Sequence, residues 1–389
     1  MVIDDVLALR EQIPALRKTL YLNSGWSGPS PQRVIDRVIE RLRWENDEGP
    51  TAPQVLERFW RLHDEVRDGV AATFGAQPDE IVTTANTTEG INLVLNGLPW
   101  SPGDNVVTYN FEHHSVLVPL YHLRERKGVD VRFARLDVND SPETIVAKFE
   151  AAMTATTRLL VVSHISYSTG LRLPLEAICA MAHARGAQVL ADGAQTAGQI
   201  VLQLAASGAD YYAFTGHKWL LGPEGAGALF VRRERLPALQ PTAVSIHAAE
   251  HFDYEGAYTP KRDTPEKFQL TTVNGALFQG FLEAMALYRE IGPAAIEART
   301  RRLGQLLAAK LAAIPGVALV SPTRQETASG LVSFRVGDRR PREVVDMLWE
   351  RRRIVVRAVD YPAAIRASCH YFNTEEDLDA LVAEIVALA

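Results

Sequence analysis

The sequence predicts an α/β protein: a mainly parallel seven-stranded sheet in a large domain, followed by a smaller α+β domain at the C-terminus. Three observations point to it. From about Glu80 to Arg233 short β-rich runs alternate with helical stretches. Those runs lack a steady polar alternation, which is how strands covered on both faces read. After about Asn274 the texture changes to long helical stretches and a few isolated strands.

The runs are Glu80–Thr84, Asn105–Tyr109, Val129–Phe133, Arg158–Ser163, Ala187–Ala191, Asp210–Phe214 and Ala226–Val231. Stretches between them, such as Leu175–Arg185, are long enough for crossover helices, so the sheet is largely parallel. Further on, a helical stretch Ala276–Leu311 is interrupted at Gly292-Pro293. Strands are expected at Val317–Val320, Leu331–Val336, Ile354–Arg357 and Ile365–Tyr371, with helices at Arg342–Arg352 and Thr374–Ala387. An N-terminal helix Val2–Glu11 is expected to join this smaller unit, giving a large domain over 15–270 and a small one over 1–14 and 271–389. Ala243–Glu266, polar and carrying Pro260 and Pro265, reads as a long surface loop.

A chain of 389 residues fits two domains. Its 41 Lys+Arg against 47 Asp+Glu leave a net charge of −6, which argues against nucleic acid as a partner. No apolar run approaches the ~20 residues needed to cross a bilayer, and the acidic N-terminus lacks the layout of a signal peptide. Cys179 and Cys369 are far apart and show no metal-ligand spacing, so a cytoplasmic protein without a metal is expected.

Four segments carry candidate chemistry. In Phe214–Gly227, Lys218 follows a buried strand and is enclosed by Gly216, Gly222, Gly225 and Gly227. Glycines permit close backbone approach to a ligand, and the carboxyl edge of an open α/β sheet is where ligands bind. A buried amine there suits attack on a carbonyl to form a Schiff base; the alternative is a surface lysine in a glycine-rich turn. In Leu190–Gly198, Asp192 closes an apolar strand and needs a partner, for which a protonated heterocyclic nitrogen is suited. It could equally cap a following helix, and Gln195 could be a loop amide bonded to backbone. In Thr83–Asn92, Thr87 and Thr88 with the first amides of a helix could cradle a phosphate, or Thr could serve as the cap of a capping box with Glu89 or Asn92 behind it. In Asn110–Ser115, His113 or His114 could stack on an aromatic ring or bind a metal. Adjacent histidines on an extended chain point oppositely, so one of the two is expected to face a given site.

Lys218, Asp192, the Thr87-Thr88 turn and His113 occur in an order that resembles the class V aminotransferase family of pyridoxal-phosphate (PLP) enzymes, which includes the cysteine desulfurases. The resemblance runs from about Leu20 to the C-terminal helix and implies the fold type I architecture. It implies that Lys218 carries PLP, Asp192 pairs with the ring nitrogen, Gln195 reaches the ring hydroxyl and His113 stacks on the ring. Thr88, Thr215 and His217 would bind the phosphate, with Thr87 close by. Thr272 matches a position that reaches the neighbouring subunit's phosphate, implying a homodimer. Arg366 matches the arginine that clamps the substrate's α-carboxylate.

Two departures from the desulfurase pattern narrow the activity. Desulfurases carry a nucleophilic cysteine on a loop before that arginine, whereas Val355–Ile365 is short and has none. Strand alternation puts Cys369 on the face opposite Arg366, Ser368 and His370, away from the cofactor. Tyr167 stands where desulfurases have asparagine, and is expected to shape the substrate pocket. Within the family the chain looks most like the cyanobacterial cystine/cysteine C–S lyases, over Asp210–Trp219, Gly330–Phe334 and Ile365–Tyr371. That implies β-elimination from an amino-acid substrate to pyruvate, ammonia and a thiol or persulfide. A transaminase, an isopenicillin N epimerase-like racemase (suggested by Leu22–Gly28) and a non-catalytic PLP-fold protein are the alternatives. A nicotinamide reading fails for want of a G-x-G-x-x-G after an early strand.

Overall fold

A computed structural model describes residues 5–389. In chain order it begins with α1 (Val6–Glu11), β1 (Leu20–Tyr21), α2 (Gln32–Glu48) and α3 (Pro53–Phe74). The large sheet and its helices come next as β2 (Ile81–Thr84), α4 (Thr87–Gly97), β3 (Asn105–Tyr109), α5 (His114–Lys127), β4 (Asp130–Ala134), α6 (Pro142–Ala152), β5 (Thr157–Ser163), α7 (Leu175–Ala184), β6 (Gln188–Asp192), β7 (Tyr211–Thr215) and β8 (Gly227–Val231). A hairpin, β9 (Ala249–Phe252) and β10 (Tyr258–Pro260), leads to α8 (Gly275–Ile291) and α9 (Pro293–Ala312). The chain ends with β11 (Val317–Leu319), β12 (Leu331–Val336), α10 (Pro341–Arg352), β13 (Ile354–Val355), β14 (Arg357–Asp360), β15 (Ala363–Ser368) and α11 (Glu375–Val386).

The large sheet has seven strands in the order β2-β8-β7-β6-β5-β3-β4. All neighbours pair in parallel except β8, which runs against β2 and β7. The apolar runs divide between its faces as a two-sided sheet demands. Leu160 and Val162 of β5 pack in one core cluster, and Leu159 and Val161 in another. Tyr212 and Phe214 of β7 likewise oppose Tyr211 and Ala213. Each buried Leu, Val or Phe among them gains about 1.5–3 kcal/mol from burial, so both faces must be covered. A third cluster forms the small unit, where Leu303, Leu307 and Leu311 of α9 pack on the antiparallel sheet β11-β12-β15-β14. The apolar face of α8 (Phe278, Phe281, Met285) belongs instead to the large cluster.

Several expectations need correction. The surface loop 243–266 contains the hairpin β9–β10, whose turn is tied by the Asp253 side chain accepting from the Glu255 and Ala257 amides. Both strands are largely exposed, so no apolar pattern announces them. Ile354–Arg357 is not one strand. Ile354 and Val355 pair in parallel with β1, and β14 starts at Arg357 on a different partner. Ile365–Tyr371 shifts to Ala363–Ser368, ending where Cys369 passes its amide to Gly330. Of the helix Val2–Glu11, residues 2–4 lie outside the described residues. The rest is fastened toward the C-terminus by Arg10, which pairs with Asp377 of α11 at 2.7 Å. Among the described residues no helix is long and apolar enough to cross a membrane.

The turn after β6 packs directly on the segment after β7. Gly198 and Gly103 have similar positive φ, 93° and 92°, but a Cβ at Gly103 meets nothing within 4 Å, while one at Gly198 falls 2.3 Å from the Trp219 carbonyl carbon. Gly103→Ala is expected to cost only the roughly 1–2 kcal/mol of a left-handed backbone. Gly198→Ala should cost clearly more, because backbone must move. Thermal denaturation of the two variants side by side checks this; equal midpoints would contradict it.

Candidate active site

The carboxyl ends of β2, β3, β5, β6 and β7 share one edge, and a cavity of about 550 Å³ opens there. Asp192 ends β6, and Ser163 ends β5 level with it in the register. Thr215 ends β7, opposite Gly227, which in turn faces Thr84 of β2. Lys218 comes three residues after β7 and points into the cavity, anchored by the three apolar residues next in the chain. Trp219, Leu220 and Leu221 are all buried, the Trp219 indole N–H donates to Gln195 at 2.9 Å, and its ring stacks on His370 at 5.4 Å.

Burial lowers the Lys218 amine to about 8; the Asp192 charge opposes that shift, and Arg366 and Arg357 add to it. Asp192 is pushed up by burial, against the Ala194 amide, Lys218 and Ser163. Its Oδ1 accepts from Ala194 N–H at 2.8 Å, and a turn rather than an α-helix comes after it, so it caps no helix. The site thus pairs a poorly solvated amine with a poorly solvated carboxylate, each shifted by its surroundings.

The first turn of α4 forms the opposite wall. Its cap is Asn86, not a threonine: Asn86 Oδ1 accepts from Glu89 N–H at 3.0 Å, and Glu89 accepts from Ala85 N–H at 2.6 Å. That leaves both threonine hydroxyls for the cavity they line, and the buried Thr87 hydroxyl has no partner. Thr215 and His217 meet at 2.7 Å (Oγ1 to Nδ1) beside it, with His217 lowered by burial to about 4 and hence neutral. Neutral donors and free amides at a helix N-terminus are a setting for an anion.

His113 caps α5, its Nδ1 accepting from Ser115 N–H at 3.1 Å, which leaves the hydrogen on Nε2. Burial, then the charge of Lys218, lowers it to about 2. His114 lines the cavity as well, with the two rings 3.8 Å apart. The expectation that adjacent histidines diverge fails because the chain turns into a helix between them and strand alternation does not apply. Tyr167 lines the cavity edge-on to His113 at 4.6 Å. Gln195 also lines it; its Oε1 takes the Trp219 indole N–H and its Nε2 donates to Gly25 O at 2.8 Å, so one amide hydrogen remains.

Arg366 of β15 is fully buried just behind the wall. It donates to Tyr167 O at 2.8 Å and to Asn23 Oδ1 at 3.2 Å, and its Nε has no partner. Thr272 is not brought into the cavity; it is exposed and edges a separate hollow with His63, Thr83 and Glu89. Neither cysteine is near. Cys369 is packed in the small core with its thiol driven upward by burial, and Cys179 is on the buried face of α7 in the large one, raised to about 12. Among the described residues no group of three or more His, Cys, Asp or Glu is placed to hold a metal.

The sequence pattern did not single out Arg357, Trp26, Asn86, Ser163 or Glu112. Arg357 lines the cavity and stacks on Trp26 at 4.1 Å; nothing in a strand ending in arginine marks it. Glu112 had a fainter signal of the kind used for Asp192, a carboxylate three residues beyond an apolar strand. Taken together, the residues suit a phosphorylated aromatic aldehyde with a basic ring nitrogen: Lys218 for the aldehyde, Asp192 for the nitrogen, the α4 turn for the phosphate.

Comparison with known proteins gives concordant findings. The family model described as aminotransferase class-V matches residues 20–381. A probable cysteine desulfurase of Methanothermobacter thermautotrophicus is 33% identical over 388 residues, covering 96% of this chain and 95% of that protein. The isopenicillin N epimerase of Streptomyces clavuligerus is 32% identical over 379 residues, with 94% of each covered. A solved complex of the cystine C–S lyase C-DES with its product cysteine persulfide superposes with a TM-score of 0.91 at 29% identity, covering 97% of this chain and 100% of that one. In a further C-DES structure, a lysine-to-alanine variant, glycine is covalently linked to the PLP cofactor; it too has a TM-score of 0.91, at 30% identity, with 98% of this chain and 99% of that one covered.

The depressed Lys218 amine has a measurable consequence. Borohydride trapping of a small aldehyde at Lys218 should rise with pH and level off above a midpoint of about 8, because only the neutral amine attacks. Arg357→Ala removes a neighbouring positive charge and should move that midpoint up. A midpoint at the ordinary lysine value of about 10.4 would contradict the burial argument.

Proposed function

The chain belongs to the class-V aminotransferase family, and from that premise we propose that it is a PLP-dependent C–S β-lyase that splits cystine or a cysteine-like amino acid into pyruvate, ammonia and a persulfide or thiol. The observation that carries this reading is a desolvated Lys218–Asp192 pair in a cavity that neither of the chain's cysteines approaches. A desulfurase that parks sulfur on its own thiolate needs a cysteine at the cavity, and both thiols here are buried elsewhere with raised pKa.

Bound PLP supplies an aldehyde for an amine and an electron-accepting ring for the pair released at a substrate's Cα. The rest is the work of the chain. Lys218 would hold the cofactor through Nζ, and that same nitrogen would serve as the general base for the substrate's Cα proton. Asp192 would hold the ring nitrogen in its cationic form, and the remaining Gln195 amide hydrogen would be available to the ring hydroxyl. The neutral His113 would cover the ring face. Thr87, Thr88, Thr215 and His217, with the free amides of α4, would hold the phosphate. Arg366, through its unpartnered Nε, clamps the substrate carboxylate, while Tyr167 and Arg357 bound the side-chain pocket.

The exposed position of Thr272 fits a homodimer in which it reaches the phosphate of the other copy. We take the protein to be cytoplasmic, where two unpaired buried cysteines are at ease. A division into 15–270 and 1–14 with 271–389 puts Lys218 and Asp192 on the large unit and Arg366 on the small one, and the packing of α8 on the large core favours moving its boundary past Ile291. An epimerase acting on an amino-acid centre is the second reading, favoured by the similarity to isopenicillin N epimerase and by Trp26, from the matching Leu22–Gly28 stretch, lining the cavity.

Incubation with cystine should yield pyruvate and persulfide, and a Cys179→Ala, Cys369→Ala double variant should retain that turnover. Accumulation of pyridoxamine phosphate would mean transamination instead, and inversion at Cα without pyruvate an epimerase. Lys218→Ala should lose the visible absorption band of the bound cofactor. Arg366→Ala should raise KM about 10- to 100-fold with a smaller change in kcat, the size of a lost charge-assisted fork.

A further inference from the structure

Glu112 is a buried ionisable group for which the proposed chemistry has no use. It comes three residues after β3, is 4% exposed, and lies behind the cavity floor. One carboxyl oxygen accepts from Ser163 N–H at 2.5 Å. The other meets the Ser163 hydroxyl at 2.5 Å and accepts from His113 N–H at 3.2 Å. Ser163 stands level with Asp192 on the neighbouring strand and lines the cavity with it; the close partner of its hydroxyl is Glu112, while Asp192 is a more distant neighbour whose carboxylate the hydroxyl favours. A serine hydroxyl has one hydrogen, so it can donate to Glu112 or to Asp192 but not to both.

Two carboxyl groups flanking one hydroxyl in a desolvated place do not both ionise readily, and their surroundings push them apart. Asp192 has the Ala194 amide and the Lys218 charge on its side. Glu112 faces no cation; burial and the Asp192 charge raise it to about 8. The other ionisable groups facing it are Tyr109 of β3 and Tyr167 of the loop after β5, both raised by burial and neutral, and the neutral His113.

We propose that Glu112 is a positioning residue: as a neutral acid it donates its O–H to Ser163 Oγ, and Ser163 donates its own O–H to Asp192, which keeps Asp192 ionised and aimed at the cofactor's ring nitrogen. No proton changes owner in this arrangement; both hydrogens stay on their oxygens and only their direction is set. The identity of the group above Asp192 rests on the function proposed above, whereas the Glu112–Ser163–Asp192 chain does not.

Difference infrared titration of the full-length holoprotein tests the protonation directly. Between about pH 6 and about pH 10 a protonated-carboxyl C=O band should disappear with a midpoint near 8. It should be absent from Glu112→Gln, and in Asp192→Asn, with the like charge gone, its midpoint should fall. Gln can make the same donation to Ser163 as the neutral acid, giving up only the 3.2 Å contact with His113 N–H, so Glu112→Gln should bind PLP within about threefold of the parent at neutral pH. Glu112→Ala, which strands the Ser163 amide, should bind at least about tenfold more weakly. A titration showing no such band, a band that survives in Glu112→Gln, or a Gln variant as weak as Ala would overturn the inference. A parent protein lacking the visible cofactor band would refute the functional reading, and the infrared result would still decide the state of Glu112.

Discussion

An amine held out of bulk water beside a carboxylate is the constraint around which the rest of this structure is arranged. Neither group would choose the place alone. An isolated buried ion is penalised heavily, and its pKa shifts toward the neutral form. Lys218 and Asp192 each moderate the other's shift, which is how both persist at the end of a sheet whose strands are otherwise apolar on both faces. The surrounding positive charges, Arg357 and Arg366, tip the balance further toward a neutral amine. A nucleophilic nitrogen at moderate pH is therefore produced by position and not by residue type.

Holding that pair still requires parts from distant sequence. Trp219, the residue after Lys218, is wedged between Gln195 and His370, and His370 Nε2 meets the Trp219 carbonyl oxygen at 3.0 Å. Gln195 is tied onward to Gly25, and Asn23 meets both Ser368, through an isolated bridge, and Arg366. The N-terminal segment, the large sheet and the small sheet thus converge on one loop. Local displacement in any of the three moves the amine, since packed interiors transmit strain instead of absorbing it. Gly28 shows how close the approach is: its amide donates to His217 O at 2.7 Å, and a Cβ there would fall 2.2 Å from the Lys218 carbonyl oxygen.

The cap of α4 shows how a hydrogen bond elsewhere releases a functional group. Thr-Thr-Glu-Gly reads equally well as a capping box or as an anion cradle, and both use the same hydroxyls. Asn86 satisfies the helix amide instead, so the unpartnered Thr87 hydroxyl is left over for a ligand. Two neutral histidines, His113 and His217, keep this side of the cavity from accumulating positive charge at moderate pH.

Composition and pattern by themselves determined the sheet, its two-sided burial, the order of its strands along the chain and the position of Lys218 and Asp192 at a strand end. These are local or periodic properties: apolar runs of fixed length, glycines around a lysine, a carboxylate closing a buried strand. The paired hydrogen bonds of β9–β10 left no apolar trace, and the split of Ile354–Arg357 between two sheets depends on which partner each half finds. Only the tertiary structure decided that His113 and His114 share a cavity, that Arg357 joins them while Arg366 sits behind the wall, and that Glu112 meets Ser163 level with Asp192. Those facts depend on which segments meet across tens or hundreds of residues, and on desolvation that no single segment carries. Residue type names what a group can do; burial and neighbours decide its charge and whom it faces.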